Sequence, residues 1–324
     1  MNNFKYLIPI FFILELLFYQ SLIPLLKKIK INQTVREDGP KKHIIKNGTP
    51  TMGGIIFSFF IIIFYFSFLF LFKLPINIYE SLIIIISIIG YGLLGFIDDY
   101  LIVIKNNNKG ISPNKKFLIQ LLIASVIYGL LILNGHSSIL NFFGLDINLS
   151  FGYGIFILLF FTSVTNSVNL SDGLDALASG IVVTILVGCF IYCSFLGLDY
   201  LTILCIISLI AILGFMFFNF HPAKIFMGNS GSMALGGLLA CIFILMEKEV
   251  LLIIMGSALV IETLSDIIQV TYFKLTKGKR VFKMAPFHHH LELLNYSEWQ
   301  IDLIFWSFSL TMSLMGVLIG VRLF

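Results

Sequence analysis

The sequence predicts an all-α integral membrane protein with about ten transmembrane helices, organised as a single transmembrane domain over residues 1–324. Its composition, its hydrophobic segments and the distribution of its basic residues all support this prediction. Of the 324 residues, 58% are hydrophobic and only 12% are charged, whereas soluble domains carry about 25% charged residues. A chain with so few charges must expose most of its surface to lipid rather than to water.

Hydrophobic segments long enough to cross a bilayer recur along the whole chain. A spanning helix needs about 20 mostly apolar residues. The first segment contains Glu15 and lacks a basic start and a small-residue cleavage site, so we expect a retained helix rather than a signal peptide. The predicted spans are 4–26, 52–72, 79–97, 117–135, 153–168, 175–193, 199–217, 231–246, 250–272 and 302–323.

The basic residues are concentrated on one side of this predicted topology. Lysine and arginine in short loops favour the cytoplasmic side of a membrane. Of the 21 basic residues, 17 fall in alternate connections, beginning with the loop 27–51. We therefore expect these connections to be cytoplasmic and both termini to be extracytoplasmic. The net charge of +4 does not indicate a nucleic-acid partner.

Two adjacent carboxylates, Asp98 and Asp99, follow the third predicted span. An aspartate at the centre of a membrane helix costs about 2.5 to 3.5 kcal/mol, and less near the interface. The pair could simply mark the membrane border, but lysine and arginine are the usual border residues, and the apolar sequence YLIVI follows the pair. Neighbouring carboxylates repel each other, which favours a bound proton or cation.

The segment SVTNSVNLSDGLDALASG, residues 163–180, carries amides and carboxylates at every third position. In a helix these side chains would form one slowly rotating stripe, which Gly173 could break. Helix capping by the two aspartates is an alternative, but it does not explain the asparagines inside the preceding span. The four residues of this candidate ligand-binding stripe are Asn166, Asn169, Asp172 and Asp175.

Two further segments, both predicted to be cytoplasmic, carry chemistry-bearing residues. In FNFHPAKIFMGNSGSMALGG, residues 218–237, glycines beside Asn229 precede a helix and could form an anion cradle from backbone donors, or an ordinary turn. In KGKRVFKMAPFHHHLELL, residues 277–294, three histidines follow a basic run. In an extended chain neighbouring imidazoles point in opposite directions, which favours hydrogen bonding or proton exchange with a phosphorylated ligand over a shared metal ion.

Two other features have open roles. The basic loop VREDGPKKHIIKNGTPTMGG, residues 35–54, could fix topology or contact anionic lipid headgroups. Glu262 and Asp266 lie four residues apart on one predicted helix face, where an intramembrane acid is either functional or part of a buried polar contact.

Taken together, the motifs resemble the phospho-N-acetylmuramoyl-pentapeptide transferases of the polyprenyl-phosphate N-acetylhexosamine-1-phosphate transferase superfamily. The resemblance covers nearly the whole chain. The segments that carry it are DGPKKHIIKNGTPTMGG, GFIDDY, NSVNLSDGLDALA, FMGNSGSMALGG, IETLSDIIQV and FKMAPFHHHLE.

The resemblance implies a Mg2+-dependent enzyme of the bacterial inner membrane with ten transmembrane helices, a cytoplasmic active-site cleft and a homodimeric state. Such an enzyme transfers phospho-N-acetylmuramoyl-pentapeptide from its UDP carrier to undecaprenyl phosphate. The products are UMP and the first lipid intermediate of peptidoglycan synthesis.

The resemblance also implies roles for individual residues. The paired aspartates and the histidine triplet are expected to be catalytic, and Asp175 is expected near the uracil. The candidate catalytic residues are Asp98, Asp99, His288, His289 and His290. The candidate substrate-binding residues are Lys46, Thr49, Lys105, Lys109, Asn166, Asn169, Asp172, Asp175, Asn219 and Phe226. The candidate Mg2+ ligands are Asp98, Asp99, Asp172 and Asn229.

The chain departs from the family pattern at two positions. Asn229 stands where the family typically has an aspartate thought to hold Mg2+; an amide keeps an oxygen ligand but loses the charge. Ile102 stands where the family commonly has a lysine, and Lys105 could reach the site instead.

Alternatives to the expected activity belong to different classes. One is a sister enzyme that transfers another N-acetylhexosamine phosphate, and another is a weakened homologue because of Asn229. A secondary transporter would show repeated halves and polar residues near the middle of the bilayer. The sequence instead places its polar clusters at one face and shows no repeat. For the enzyme, we expect direct attack by the lipid phosphate, with Asp98 as the base.

Overall fold

The computed structural model describes residues 4–28, 48–105 and 110–323, which form a bundle of helices. The long helices follow from long apolar runs, because a backbone in lipid must satisfy its own hydrogen bonds. Helix α1 continues through two internal prolines, Pro9 and Pro24. The helices are α1 Phe4–Lys28, α2 Gly54–Phe72, α3 Ile78–Ile85, α4 Tyr91–Lys105, α5 Pro113–Leu133, α6 Gly152–Ser171, α7 Leu177–Leu196, α8 Asp199–Asn219, α9 Gly228–Leu245, α10 Leu251–Met255, α11 Ser257–Leu275, α12 Phe287–Glu292 and α13 Glu298–Leu323.

Nine helices in the described residues are long and apolar enough to cross a membrane. They confirm the all-α membrane class and correspond to nine of the ten predicted spans. A π-helical turn, Ile86–Gly90, joins α3 and α4 into one span, Ile78–Ile104. The predicted span 250–272 is instead divided between α10 and α11 at Gly256.

Helix α9 forms the centre of the bundle. In its most apolar window 89% of the residues are buried, which is the highest share among the nine spans. It packs most extensively against α4 and α6, and also against α2. Small residues permit these close approaches: a Cβ atom on Gly95 of α4 would overlap the backbone carbonyl of Asn229 at the start of α9.

The connections gather at the two ends of the bundle. One end, here called the site end, contains the Asp98–Asp99 part of α4, the first turn of α5, the α6–α7 turn and the α8–α9 loop. The other end, here called the hairpin end, contains a two-stranded antiparallel hairpin between α5 and α6. Its strands are β1 Ile139–Phe142 and β2 Leu145–Asn148.

Candidate active site

Asp99 binds the N-terminus of α9. Its carboxylate accepts the backbone N–H groups of Asn229 at 3.0 Å and Ser230 at 2.9 Å. The first N–H groups of a helix have no partner within the helix, and the helix dipole favours an anion there. The sequence predicts an anion cradle in this loop, and the anion bound to these two donors is the protein's own Asp99.

Asp98 faces the first turns of α5. Its Oδ2 lies 2.9 Å from Nζ of Lys116, and its Oδ1 accepts the backbone N–H of Ile111 at 2.6 Å. Only 5% of Asp98 is exposed. Asp99 is equally buried, so neighbouring segments enclose both carboxylates, and α4 continues past them to Lys105.

The Asn229 side chain bridges Asp98 and Asn169. Its Nδ2 donates to Asp98 Oδ2 at 3.0 Å, and its Oδ1 accepts from Nδ2 of Asn169 at 2.6 Å. An ionised carboxylate can only accept, so Asp98 fixes the orientation of the amide. Asn169 also donates to the hydroxyl of Ser232 at 2.8 Å. This amide chain joins α4, α6 and α9.

Asp172 is partly buried in the turn between α6 and α7. Burial, together with the nearby charges of Asp99 and Asp175, raises the pKa of Asp172 to about 7. The carboxylate accepts no hydrogen bond from the described part of the chain, so it is open to a cation or ligand. The predicted helical stripe is wrong beyond α6, because that helix ends at Ser171 and leaves both aspartates in the turn.

Asp175 is held by the α8–α9 loop. Its Oδ2 lies 2.9 Å from Nδ1 of His221 and accepts the backbone N–H of Ala223 at 3.1 Å. It does not cap α7, which begins without a side-chain cap. Glu298 approaches the same imidazole at 3.5 Å, and these three side chains have ligand atoms close enough to share a metal ion.

Asn219 joins the same two loops through backbone groups. Its Oδ1 accepts from the backbone N–H of Ala176, and its Nδ2 donates to the carbonyl of Ile225, both at 2.9 Å. Both ends of this predicted substrate-binding side chain are therefore engaged in holding the α6–α7 turn against the α8–α9 loop.

The segment before α2 lies beside the α8–α9 loop. Phe226 donates its backbone N–H to Pro50 and accepts from Gly53. This pairing places the buried Thr51 beside Gly228 and Asp99, since a Cβ on Gly228 would contact both side chains. Thr49 is half-buried two residues earlier.

Asn166 lies deeper along α6 and forms a reciprocal amide pair with Gln120. The two amide hydrogen bonds measure 3.2 and 3.3 Å. Gln120 also donates to the hydroxyl of Thr165 at 3.2 Å. This predicted ligand-binding side chain is thus occupied with a contact between α5 and α6.

The histidine triplet is helical, so the prediction of an extended segment was wrong. In α12 successive side chains are separated by about 100° of rotation. His288 is buried, and its Nδ1 lies 2.7 Å from Oε2 of Glu262. The other carboxylate oxygen of Glu262, Oε1, accepts the backbone N–H of His288. Nε2 of His288 packs against Gly173, beside Asp172.

The other two histidines make local contacts. His289 Nδ1 lies 2.7 Å from Glu292, one turn later. His290 Nδ1 accepts the backbone N–H of Lys283 at 3.1 Å. The contacts of Glu262 with His288 give that intramembrane acid a role that the sequence left open.

Not every predicted site residue can be located in the structure, and several site residues were not predicted. Lys46 and Lys109 lie outside the described residues, as does the side chain of Lys105. Lys116 was not among the predicted site residues, because nothing in its spacing distinguishes it from the neighbouring Lys115. The site contributors that were not predicted are Thr51, Lys116, Gln120, His221 and Glu298.

The donor set of the site fits a hard divalent cation such as Mg2+. Asp98, Asp99 and Asp172 supply carboxylate oxygens, which such cations prefer. Lys116 is the one cation that the described contacts place on these acids, so negative charge is in excess. Asn229 offers only an amide oxygen, which already accepts one hydrogen bond. A bound cation would offset the repulsion that raises the pKa of Asp172.

Comparisons with known proteins agree over most of the chain. The family described as glycosyl transferase family 4 matches residues 81–247, and phospho-N-acetylmuramoyl-pentapeptide-transferase signature 1 matches residues 46–57. The chain is 44% identical over 319 residues to the phospho-N-acetylmuramoyl-pentapeptide-transferase of Staphylococcus aureus strain MSSA476, covering 93% of this chain and 94% of that protein. With the strain JH9 protein of the same name it shares 45% identity over 306 residues, at the same coverage.

Proposed function

The chain belongs to the phospho-N-acetylmuramoyl-pentapeptide-transferases of glycosyl transferase family 4, and we propose that it performs this transfer at the acidic cluster of its site end. It is a multi-pass transferase of the bacterial inner membrane that acts in peptidoglycan synthesis. The observation that carries the proposed location is the gathering of Asp98, Asp99 and Asp172, from α4 and the α6–α7 turn, around the start of α9.

The proposed donor is UDP-N-acetylmuramoyl-pentapeptide and the proposed acceptor is undecaprenyl phosphate. An oxygen of the lipid phosphate forms a bond to the β-phosphorus, and the bond from that phosphorus to the oxygen of the α-phosphate breaks. UMP leaves, and the lipid-linked diphosphate is the product. The apolar bundle suits the lipid tail, while the site end offers polar groups to both phosphates.

The chain's own residues supply positioning and charge, which are the main requirements of phosphoryl transfer. Asp98 is the proposed base for the remaining proton of the lipid phosphate. Lys116, 2.9 Å from Asp98, can pair with a substrate phosphate. Asn169 and Asn229 hold Asp98 in place through their hydrogen-bonded amides. Isolation of a phosphorylated enzyme would contradict this one-step route.

Asp175, Asn219 and Phe226 are proposed to contribute to the nucleotide site. The hydrogen bonds of Asn219 hold the α6–α7 turn and the α8–α9 loop together, so they shape this pocket through backbone positions. His288 supports the α6–α7 turn, because its ring packs directly against Gly173.

Mg2+ is the proposed cofactor, and Asp98, Asp99 and Asp172 would hold it, with the amide oxygen of Asn229 as a further ligand. When bound, the ion would neutralise charge on the diphosphate. We also propose that the protein is a homodimer whose protomers each form a single transmembrane domain. Its site end is proposed to face the cytoplasm, because most of the basic residues lie in the connections at that end.

The experiment that tests this function follows transfer from the UDP-linked precursor to undecaprenyl phosphate by purified protein in detergent. We expect Mg2+-dependent formation of UMP and the lipid product. The Asp172→Asn variant should lose at least about 100-fold in turnover because it lacks a charged ligand. Asp266→Asn, which alters an acid on α11 away from the cluster, is the matched control.

Three results would count against the proposal. Folded wild-type protein that forms no lipid product would reject the activity and favour a homologue weakened by Asn229. Equal turnover of a UDP-N-acetylglucosamine donor would favour the sister reaction. Full activity of Asp172→Asn would leave the transferase intact but reject the proposed location of its site.

A further inference from the structure

A second polar site lies at the hairpin end, away from the acidic cluster. A cavity of about 280 Å³ opens there between the end of α5, the hairpin and the start of α6. Aromatic rings and hydroxyl groups form most of its lining. The residues that the argument uses are Tyr128, His136, Ser138, Ser150, Phe151 and Tyr153.

A buried chain of hydrogen bonds fixes the tautomer of His136. Tyr153 donates its hydroxyl proton to Oε1 of Glu249 at 2.5 Å. The tyrosine oxygen must then accept from Nε2 of His136, which lies 2.9 Å away. His136 Nδ1 is consequently the bare, accepting nitrogen of the neutral ring. Burial lowers the pKa of His136, which keeps the ring neutral at pH 7.

The free acceptor of His136 lies close to a second acceptor. Oε1 of Glu247, in the turn after α9, is 3.8 Å from Nδ1, which is too far for a direct hydrogen bond. The imidazole is almost completely buried, with 6% of its side chain exposed, whereas 54% of the Glu247 side chain is exposed. One donor atom about 2.9 Å from each could satisfy both groups at once.

The charge around this cavity selects a cation with several N–H donors. Near the cavity, Glu247 and the buried Glu249 outnumber Lys248, which lies between them in the chain, and the residues that line the cavity include no lysine or arginine. A primary ammonium has three donors and can also lie against the faces of Tyr128 and Phe151. A ligand that presented only an anionic group to His136 and Glu247 would be repelled by the carboxylate of Glu247.

The position of the cavity indicates which molecule carries the ammonium. Membrane-spanning helix α5 ends at Leu133 and α6 begins at Gly152, so the cavity lies at the edge of the bilayer. Phe151 at its rim is 94% exposed, as expected for a side chain that contacts lipid. We propose that this cavity binds the primary ammonium headgroup of a membrane lipid, between His136 and Glu247.

The test measures binding of short-chain lipids to the full-length protein in detergent, by thermal shift and by native mass spectrometry. Phosphatidylethanolamine should bind at least about tenfold more tightly than phosphatidylcholine, whose methylated ammonium has no N–H donor, because hydrogen bonds to charged groups contribute that much. Phosphatidylglycerol, which lacks the ammonium, should also bind weakly. Equal binding of all three lipids would overturn the proposal.

Two variants and a free amine make the test specific. Glu247→Gln alters an exposed carboxylate and should fold normally, yet it should remove most of the preference for phosphatidylethanolamine. His136→Leu should remove it as well. Asp199→Asn, an exposed acid at the same end in the first turn of α8, should leave the preference unchanged. Retention of the preference in Glu247→Gln, or equal stabilisation by free ethanolamine, would reject a lipid headgroup site at this position.

Discussion

Asn229 shows how a neutral amide stabilises an acidic site at the scale of one residue. Its NH2 group donates to Asp98, while its oxygen accepts from Asn169. An aspartate at this position would place a second carboxylate about 3.0 Å from Asp98. The repulsion between two such charges would have to be offset by a cation or a proton. The amide therefore lets the site keep its geometry without bound metal.

We expect Asn229→Asp to make the stability of the protein depend more strongly on Mg2+. Without Mg2+ the variant should unfold at a lower temperature, since it loses a hydrogen bond and gains a repulsion that together cost about 1 to 3 kcal/mol. Added Mg2+ should stabilise it more than the wild type. Thermal unfolding with MgCl2 or with EDTA measures both effects. Identical Mg2+ responses of the two proteins would contradict the bridging role of the amide.

At the scale of helices, close contact between α2 and α9 depends on a pair of glycines. A Cβ atom on Gly54 would overlap the Cα of Gly231, so neither position tolerates a larger residue without separating the helices. The same region of α2 pairs through backbone hydrogen bonds with the α8–α9 loop, where Gly54 donates to Met227. Packing of this helix pair therefore positions the first turn of α9, which contains Asn229.

Gly54→Ala should destabilise the protein by about 1 to 3 kcal/mol, because the added methyl group forces the two helices apart. Gly129→Ala is the matched control, since a Cβ atom at this position in α5 meets nothing within 4 Å. There alanine should be neutral or stabilise by up to about 1 kcal/mol through its helix propensity. Chemical unfolding in detergent compares the two variants. Equal losses of stability would show that the glycine contact has no special role.

The sequence predicted the helices well and their irregular connections poorly. Lipid imposes long apolar runs, so spans such as α2 and α8 are visible from composition alone. The break at Gly256 was missed because mostly apolar residues lie on both sides of it. The hairpin was missed because its pairs, such as Phe142 with Leu145, form between residues that no periodic pattern connects.

Residues of the site were easier to identify than their partners. Carboxylates in a hydrophobic chain are conspicuous, which singled out Asp98, Asp99 and Asp172. The cationic partner of Asp98 is Lys116, and this pairing depends on how α4 packs beside α5 rather than on the spacing of the two residues in the sequence. The turn at Asp172 begins where α6 ends, at Ser171. The three-residue spacing of the polar residues continues past Ser171 in the sequence, so it does not reveal this end.

At the scale of the whole molecule, the basic residues predict which end faces the cytoplasm. The four native cysteines are buried, so the protein offers a low background for thiol labelling. We expect Asp199→Cys, at the hairpin end, to react with a membrane-impermeant maleimide in intact spheroplasts. Lys115→Cys, exposed at the site end, should react only after the membrane is opened. The reverse pattern would contradict the predicted orientation.

During synthesis, α9 leaves the ribosome after α2, α4, α6 and α7 have already entered the bilayer. Its glycines and serines gain little from lipid but allow close contact with other helices. A nascent chain that stops before Gly228 would therefore lack the helix against which α2, α4 and α6 pack. Extension past Leu245 completes this packing, so we expect the bundle to resist membrane proteases only once α9 lies at its centre.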